Sequence, residues 1–149
     1  MAAAGADPGA AGIGAGASPS ARTRTTLVTG PRAAVREAAV AAALAALGGG
    51  AQTPPQSAAV ILEGLADANS PLESDPGTGL QVLRIAPGCL CCAGNLVLRV
   101  TLNRLLRRPP AQLFISLASA EHVDQLRSML LAAPYGDLLD LAADLQAEA

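Results

Sequence analysis

Short apolar segments alternate with helix-forming segments along the chain, and this alternation constrains the fold more than any other feature. The run TTLVTG (25–30) has the β-branched and apolar character of a buried strand and ends in glycine. In the segment that follows, Pro31 suits a first helical turn and Gly48–Gly50 end the helix. The same pattern predicts strands over 58–64, 80–88 and 111–119 and helices over 95–107 and 120–133.

Strands that alternate with helices of this length predict an α/β fold, with three αβα layers around a mostly parallel sheet. We expect residues 22–149 to form a single domain, because the length suits one hydrophobic core. Residues 1–21 are rich in alanine, glycine and proline, which predicts a disordered tail. For the closing segment after Pro134, a short helix and an aborted strand both stay open.

Composition and charge exclude several classes of partner. The formal net charge of −2 gives no electrostatic reason to expect a nucleic-acid partner. The longest alanine and leucine run, residues 38–47, is shorter than the roughly 18 apolar residues of a membrane span, so no membrane partner is expected. The first residues lack the basic and apolar regions of a secretory signal, and we therefore expect a cytoplasmic protein whose thiols stay reduced.

All three cysteines of the chain lie in the stretch GCLCCAGN, after the third strand candidate and before a helix. A turn can bring the sulfur atoms of Cys89, Cys91 and Cys92 together, and Gly88 and Gly94 supply the backbone freedom that it needs. The N-terminus of the following helix favours thiolates, which are preferred ligands of zinc. The spacing therefore favours a site for Zn²⁺ or a similar divalent ion.

Two other interpretations of the cysteines stay open. Cys89 and Cys92 form a C-x-x-C pair that suits thiol redox chemistry, and the three residues can also simply pack a turn. His122, the only histidine, is far from them in sequence and is not expected to be a ligand. Glu63 and Asp67 follow the second strand, where a carboxylate is usually solvated and only occasionally binds metal.

The stretch GCLCCAGNLVLRVTLNRLL resembles the CobW-type metal-chaperone GTPases, whose mark is a Gly-Cys-x-Cys-Cys turn before a helix. TTLVTG lies where that family has its phosphate-binding loop, and Ile115, His122 and Pro134–Tyr135 match later family positions. The similarity covers residues 25–145, the first part of the family's GTPase domain. It implies a truncated P-loop NTPase-like fold, Zn²⁺ at the three cysteines, and a metal-receiving protein or a second copy as partner.

The sequence departs from the family at the nucleotide site. A phosphate loop reads G-x-x-x-x-G-K-[ST], with lysine for the phosphates and a hydroxyl for magnesium. Counting from Gly30, this chain has Val35 for the second glycine, Arg36 for the lysine and Glu37 for the hydroxyl residue, and it contains no lysine at all. Gly30 and Arg36 are therefore the candidate residues of a vestigial cofactor site. Arg36 either holds an anion or is a solvated residue beside Glu37.

Two further substitutions point the same way. Ser116 stands where the family has glutamate, and Ser119 where it has the glycine that senses the γ-phosphate. We expect weak or absent binding of GTP and Mg²⁺ and no useful hydrolysis, so no catalytic residue is assigned. Three hypotheses remain: a CobW-like metal-binding protein, an inactive interaction module that uses the arginine-bearing face of helix 95–107, and a thiol-redox protein.

Overall fold

The computed structural model describes residues 22–47, 57–64, 70–75, 77, 79–86 and 96–148. The predicted tail and the cysteine turn lie outside the described residues, and the extent of the domain stays a prediction. Within the described ranges, the strands are β1 (Thr23–Thr29), β2 (Ala58–Glu63), β3 (Leu80–Ile85), β4 (Gln112–Ser116), β5 (Leu139–Leu141) and β6 (Leu145–Gln146). The α-helices are α1 (Ala33–Leu47), α2 (Leu96–Leu105) and α3 (Val123–Leu131), and 3₁₀ turns span Ala120–His122 and Tyr135–Asp137.

The described strands form one sheet in the order β3-β2-β4-β1-β5, with β6 also paired to β1. All of these pairings are parallel, which confirms the α/β prediction. The register places Ser116 of β4 opposite Val28 of β1 and Leu62 of β2. The strands β1, β2 and β4 therefore end side by side, and we call this end of the sheet, at Thr29, Glu63 and Ser116, the carboxyl edge.

Two apolar clusters cover the two faces of the sheet, because successive strand side chains point to opposite faces. Leu27 packs in the cluster that contains residues of α2 and α3, whereas its neighbour Val28 packs in the cluster that contains Val40 of α1. The α2–α3 cluster is built largely from leucine and isoleucine, and the α1 cluster holds Phe114. This arrangement confirms the three-layer prediction and is consistent with a P-loop-like fold.

Helix α2 has the amphipathic face that its sequence predicts. Leu98, Leu102 and Leu105 are buried, and Arg104 and Arg107 are exposed. Leu47 of α1 and Leu131 of α3 are exposed, and each is the last residue of its helix.

The closing segment contains both of the structures that the sequence left open. A 3₁₀ turn at Tyr135–Asp137 comes first, and the two short strands β5 and β6 follow it. Tyr135 is buried, and its hydroxyl donates a hydrogen bond to Oδ1 of Asn103 on α2 at 3.0 Å. The segment therefore packs against α2 before it pairs with β1.

Candidate functional site

Arg36, predicted as a vestigial phosphate-loop residue, is buried at the carboxyl edge with only 4% of its surface exposed. Its Nε donates a hydrogen bond to Ser116 Oγ at 3.0 Å, and its Nη1 donates one to the carbonyl oxygen of Gly30 at 2.9 Å. The expectation of a solvated arginine was therefore wrong. The first turn of α1 packs against the sheet at this point, and its arginine reaches inward to the end of β4.

Gly30 lies in the turn between β1 and α1, and this turn is tightly packed. A Cβ atom at Gly30 would lie 3.0 Å from Cβ and O of Ala147 and from Cγ of Arg36. The backbone N–H of Ala147 also donates to the carbonyl oxygen of Thr29 at 2.7 Å. Glycine is thus needed here because the segment after β6 and the Arg36 side chain both approach the turn closely.

Glu37 follows Arg36 in the sequence and is also buried, but the two side chains do not form an ion pair. Its carboxylate accepts a hydrogen bond from Ser70 Oγ and forms an ion pair with Arg84 of β3, with Arg84 Nη2 3.4 Å from Glu37 Oε1. Arg84 Nη2 also donates to Ser70 Oγ at 3.1 Å. The sequence left open a pairing of Arg36 with its neighbour Glu37, and the structure does not form it, because Arg36 bonds to Ser116 of β4 and Glu37 pairs with Arg84 of β3.

Glu63, the last residue of β2, is also buried, so the expectation of a solvated carboxylate was wrong. Its Oε1 accepts a hydrogen bond from the backbone N–H of Ala118 at 2.8 Å. This bond joins the end of β2 to the chain that leaves β4. A carboxylate at this position is satisfied by backbone, which is how buried charged groups are normally tolerated.

Burial and neighbouring charge act in opposite directions on Arg36. Removal of the guanidinium from water lowers the pKa of Arg36, and the negative charges of Glu63 and Glu37 oppose that lowering. Arginine nevertheless stays protonated at neutral pH. The carboxyl edge therefore holds a buried cation whose charge is offset by two buried carboxylates.

The two serines that replace family residues have different roles. Ser116 is buried and accepts the hydrogen bond from Arg36, whereas Ser119 is exposed. Ser119 Oγ accepts from the backbone N–H of Glu121 at 3.1 Å and so caps the 3₁₀ turn Ala120–His122. Of the two serines, only Ser116 thus takes part in the buried polar contacts of Arg36.

The predicted metal ligands Cys89, Cys91 and Cys92 lie outside the described residues, as do Asp67 and the side chain of His122. The described residues nearest to the cysteines in sequence are the end of β3 and the start of α2. β3 ends at Ile85, opposite Glu63, where the backbone N–H of Gly64 donates to the carbonyl oxygen of Ile85 at 2.8 Å. α2 then begins at Leu96. Among the described residues, no group of three or more histidine, cysteine or acidic side chains suits a metal ion.

Sequence reasoning missed Arg84 and Ser70, the two partly buried partners of the Glu37 carboxylate. Arg84 is the only charged residue in the strand candidate LQVLRIAPG, and a charge that is partly buried in a strand requires a partner. That charge was the available signal. Ser70 gave no comparable signal, because it lies in a segment rich in loop residues. None of the described helices has the length and apolar character to cross a membrane.

Over 126 residues, the chain is 32% identical to a protein of Escherichia coli (strain K12) described as the zinc chaperone YeiR. The chain is similar to a zinc chaperone. The aligned part is 83% of this chain but 36% of the relative, so the chain spans just over a third of the zinc chaperone's length. The similarity supports the CobW-type resemblance of the cysteine turn. Neither a family model nor a solved structure matches the chain.

Proposed function

We propose that the chain is a cytoplasmic CobW-type protein that binds Zn²⁺ or a similar divalent ion through Cys89, Cys91 and Cys92 and passes it to a receiving protein. The observation that carries this proposal is the 32% identity to a zinc chaperone across 83% of the chain. The relative is much longer than the aligned region, so the transfer of its described role to this chain is part of the proposal.

The chemistry of the segment between β3 and α2 supports zinc as the ion. Zinc takes four ligands and prefers thiolates, and three cysteines leave one position for water, a carboxylate or a second chain. The described residues on either side of this segment are β3, whose last residue Ile85 pairs in register with Glu63, and α2, which begins at Leu96. A helix N-terminus lowers the pKa of nearby thiols, which favours the form that binds metal.

We also propose that this protein does not hydrolyse GTP. A phosphate loop needs a lysine for the β- and γ-phosphates and a hydroxyl for magnesium. The residues at those positions here are Arg36, which is hydrogen-bonded within the chain, and Glu37, which pairs with Arg84. The loss of both functional groups supports the absence of hydrolysis.

Elemental analysis of protein purified without an affinity-metal step tests the metal proposal, together with a count of reactive thiols. We expect one zinc ion per chain or per dimer, and loss of that ion when the three cysteines are changed together to serine. His122→Asn is the matched control, because it removes the only histidine, and it should keep its zinc. Stoichiometric metal that survives the triple substitution would refute the proposal.

Helix α2 favours a second candidate function, association with a second copy of the chain. Leu96 is 70% exposed, and Val97 and Val100 are about half exposed. These residues form an apolar patch on a helix whose later residues include exposed arginines. The chain carries four arginines and no acidic residue over 96–108, and six acidic residues with one arginine after position 120. The basic helix of one copy is thus complementary to the acidic segment of another.

Sedimentation of the full chain over a range of concentrations tests this association. We expect a dimer that weakens as salt is raised, since salt screens exposed charges. The double variant Leu96→Asn, Val100→Asn should be monomeric, whereas Leu131→Asn, which changes an exposed leucine on α3, should still dimerise. A monomer at all concentrations, or a dimer that survives the double substitution, would exclude α2 as the contact.

A further inference from the structure

Arg36 is a buried cation whose two side-chain hydrogen bonds go to neutral acceptors. It donates to the Gly30 carbonyl and to the Ser116 hydroxyl, and within the described ranges no carboxylate lies within ion-pair distance of it. A guanidinium is costly to bury, so this placement has to be supported by the surrounding structure. We call Arg36 and its two hydrogen bonds the Arg36 tie.

The Arg36 tie joins two parts of the carboxyl edge that are far apart in sequence. Gly30 belongs to the turn between β1 and α1, and Ser116 is the last residue of β4, 80 positions from Arg36. In nucleotide-binding α/β proteins, the phosphates occupy the turn after such a first strand and contact the helix N-terminus. Here the arginine itself makes the connection between the turn and the neighbouring strand.

Packing around Gly30 and the charge of nearby residues both oppose the binding of a triphosphate at this turn. Ala147 and the Arg36 stem approach Gly30 to within 3.0 Å of where a Cβ atom would be, so the turn has no spare room on that side. Glu37 and Glu63 are both buried, and their negative charges act on Arg36. A bound triphosphate would have to break the tie and overcome repulsion from these carboxylates.

We infer that the Arg36 tie holds the β1–α1 turn against β4 in place of a nucleotide, so that zinc binding by this chain is independent of GTP. The structural half of this inference stands on the contacts of Arg36 alone. The half that concerns zinc rests on the proposed metal function. Regulation of the metal site would then come from a partner or from zinc supply, rather than from nucleotide exchange.

Titrations of the full wild-type chain with GTP and Mg²⁺ test the independence directly. Allosteric coupling between two sites usually changes affinity about 5- to 150-fold. We expect the zinc affinity with GTP present to lie within about twofold of the value without it, which is below that range. A larger change in zinc affinity would overturn the inference.

Thermal unfolding with nucleotide gives a readout that does not depend on zinc. At about 1 mM GTP and Mg²⁺, the nucleotide concentration would be about 1,000 times the dissociation constant of a site with micromolar affinity. Binding at such a site would raise the melting temperature measurably. We expect no rise. A rise would overturn the inference even if zinc binds as proposed, and a chain that binds no zinc but shows no rise would refute only the metal function.

Hydrogen exchange of Ser116→Ala tests the tie itself. Loss of the hydroxyl removes one of the two acceptors of Arg36, so amides in the β1–α1 turn and just after β4 should exchange faster together, by about tenfold. Ser128→Ala is the matched control, because it removes an exposed hydroxyl on α3, and it should leave both regions unchanged. Faster exchange in only one region, or in neither, would contradict the tie.

Discussion

Two arginines of this chain each connect distant segments, but they do so in opposite environments. Arg36 is buried at the carboxyl edge and donates to a carbonyl and a hydroxyl. Arg127 of α3 is one-third exposed and pairs with two carboxylates, Asp124 at 2.6 Å and Asp144 between β5 and β6. Arg36 is therefore a buried cation with neutral acceptors, whereas Arg127 forms ion pairs at the surface.

The two environments shift the arginine pKa values in opposite directions. Burial lowers the pKa of Arg36, whereas the hydrogen bond to Asp144 raises the pKa of Arg127. A raised pKa marks a charge that the structure stabilises, and a lowered pKa marks one that the structure holds at a cost. Arg36 therefore depends on the arrangement of its neighbours, whereas water can replace most of the contacts of the partly exposed Arg127.

The largest effect is expected for Arg36→Met, which keeps apolar volume but removes both hydrogen bonds of the tie. The Gly30 carbonyl and the Ser116 hydroxyl lose their partner in a buried place, and the nearby carboxylates lose their offsetting charge. We expect a loss of about 2–3 kcal/mol in the free energy of unfolding, measured by urea titration. Arg32→Met changes an exposed arginine just before α1 and should cost no more than about 0.5 kcal/mol.

If Arg36→Met and Arg32→Met were equally stable, the comparison would fail, because Arg36 would then contribute no more than an exposed arginine. A loss in the free energy of unfolding for Arg36→Met but not for Arg32→Met would support the contrast between the buried and the exposed arginine. The same urea titrations at high salt should leave that loss nearly unchanged, since buried groups are poorly screened.

A smaller effect is expected for Arg127→Ala, which removes both contacts with Asp124 and Asp144. Exposed ion pairs typically contribute about 0.2–1 kcal/mol, so we expect a loss in the free energy of unfolding of about 0.5–1 kcal/mol. The loss should shrink at about 1 M salt, where the screening length falls to about 3 Å. Asp124→Asn should cost less than Asp144→Asn, because the Asp124 side chain is 90% exposed and that of Asp144 is 24% exposed.

Arg127→Ala could instead lower the free energy of unfolding by more than Arg36→Met does, with no dependence on salt. That result would reverse the expected order of the two arginines. It would mean that the contact between α3 and the closing strands, rather than the carboxyl edge, is where a charged group most stabilises this fold. Equal losses for Asp124→Asn and Asp144→Asn would show that exposure does not separate the two carboxylates.

Much of the architecture followed from patterns that are local in the sequence. Apolar runs and the glycines and prolines between them predicted β1 to β4, and the spacing of Leu98, Leu102 and Leu105 predicted the buried face of α2. The closing segment was less clear because β5 and β6 are only three and two residues long. Strands this short carry too few residues to show a period.

The candidate site was predictable in part. The sequence singled out Gly30, Arg36, Glu37 and Glu63, and the structure brings them to one edge of the sheet. The sequence did not predict that Arg36, Glu37 and Glu63 are buried, since charged residues at helix starts and strand ends are usually solvated. Nor could it pair Glu37 with Arg84, because those residues are 47 positions apart and nothing local connects them.

Local sequence is sufficient to predict the alternation of strands and helices, the grouping of the cysteines between β3 and α2, and the lack of a phosphate-loop lysine. These are properties of neighbouring residues, and local periodicity and residue chemistry record them. The hydrogen bond from Arg36 to Ser116 is instead a product of the fold, because that contact exists only when parallel pairing brings the ends of β1 and β4 together. Burial and long-range hydrogen bonds depend on that pairing, and no stretch of sequence contains it.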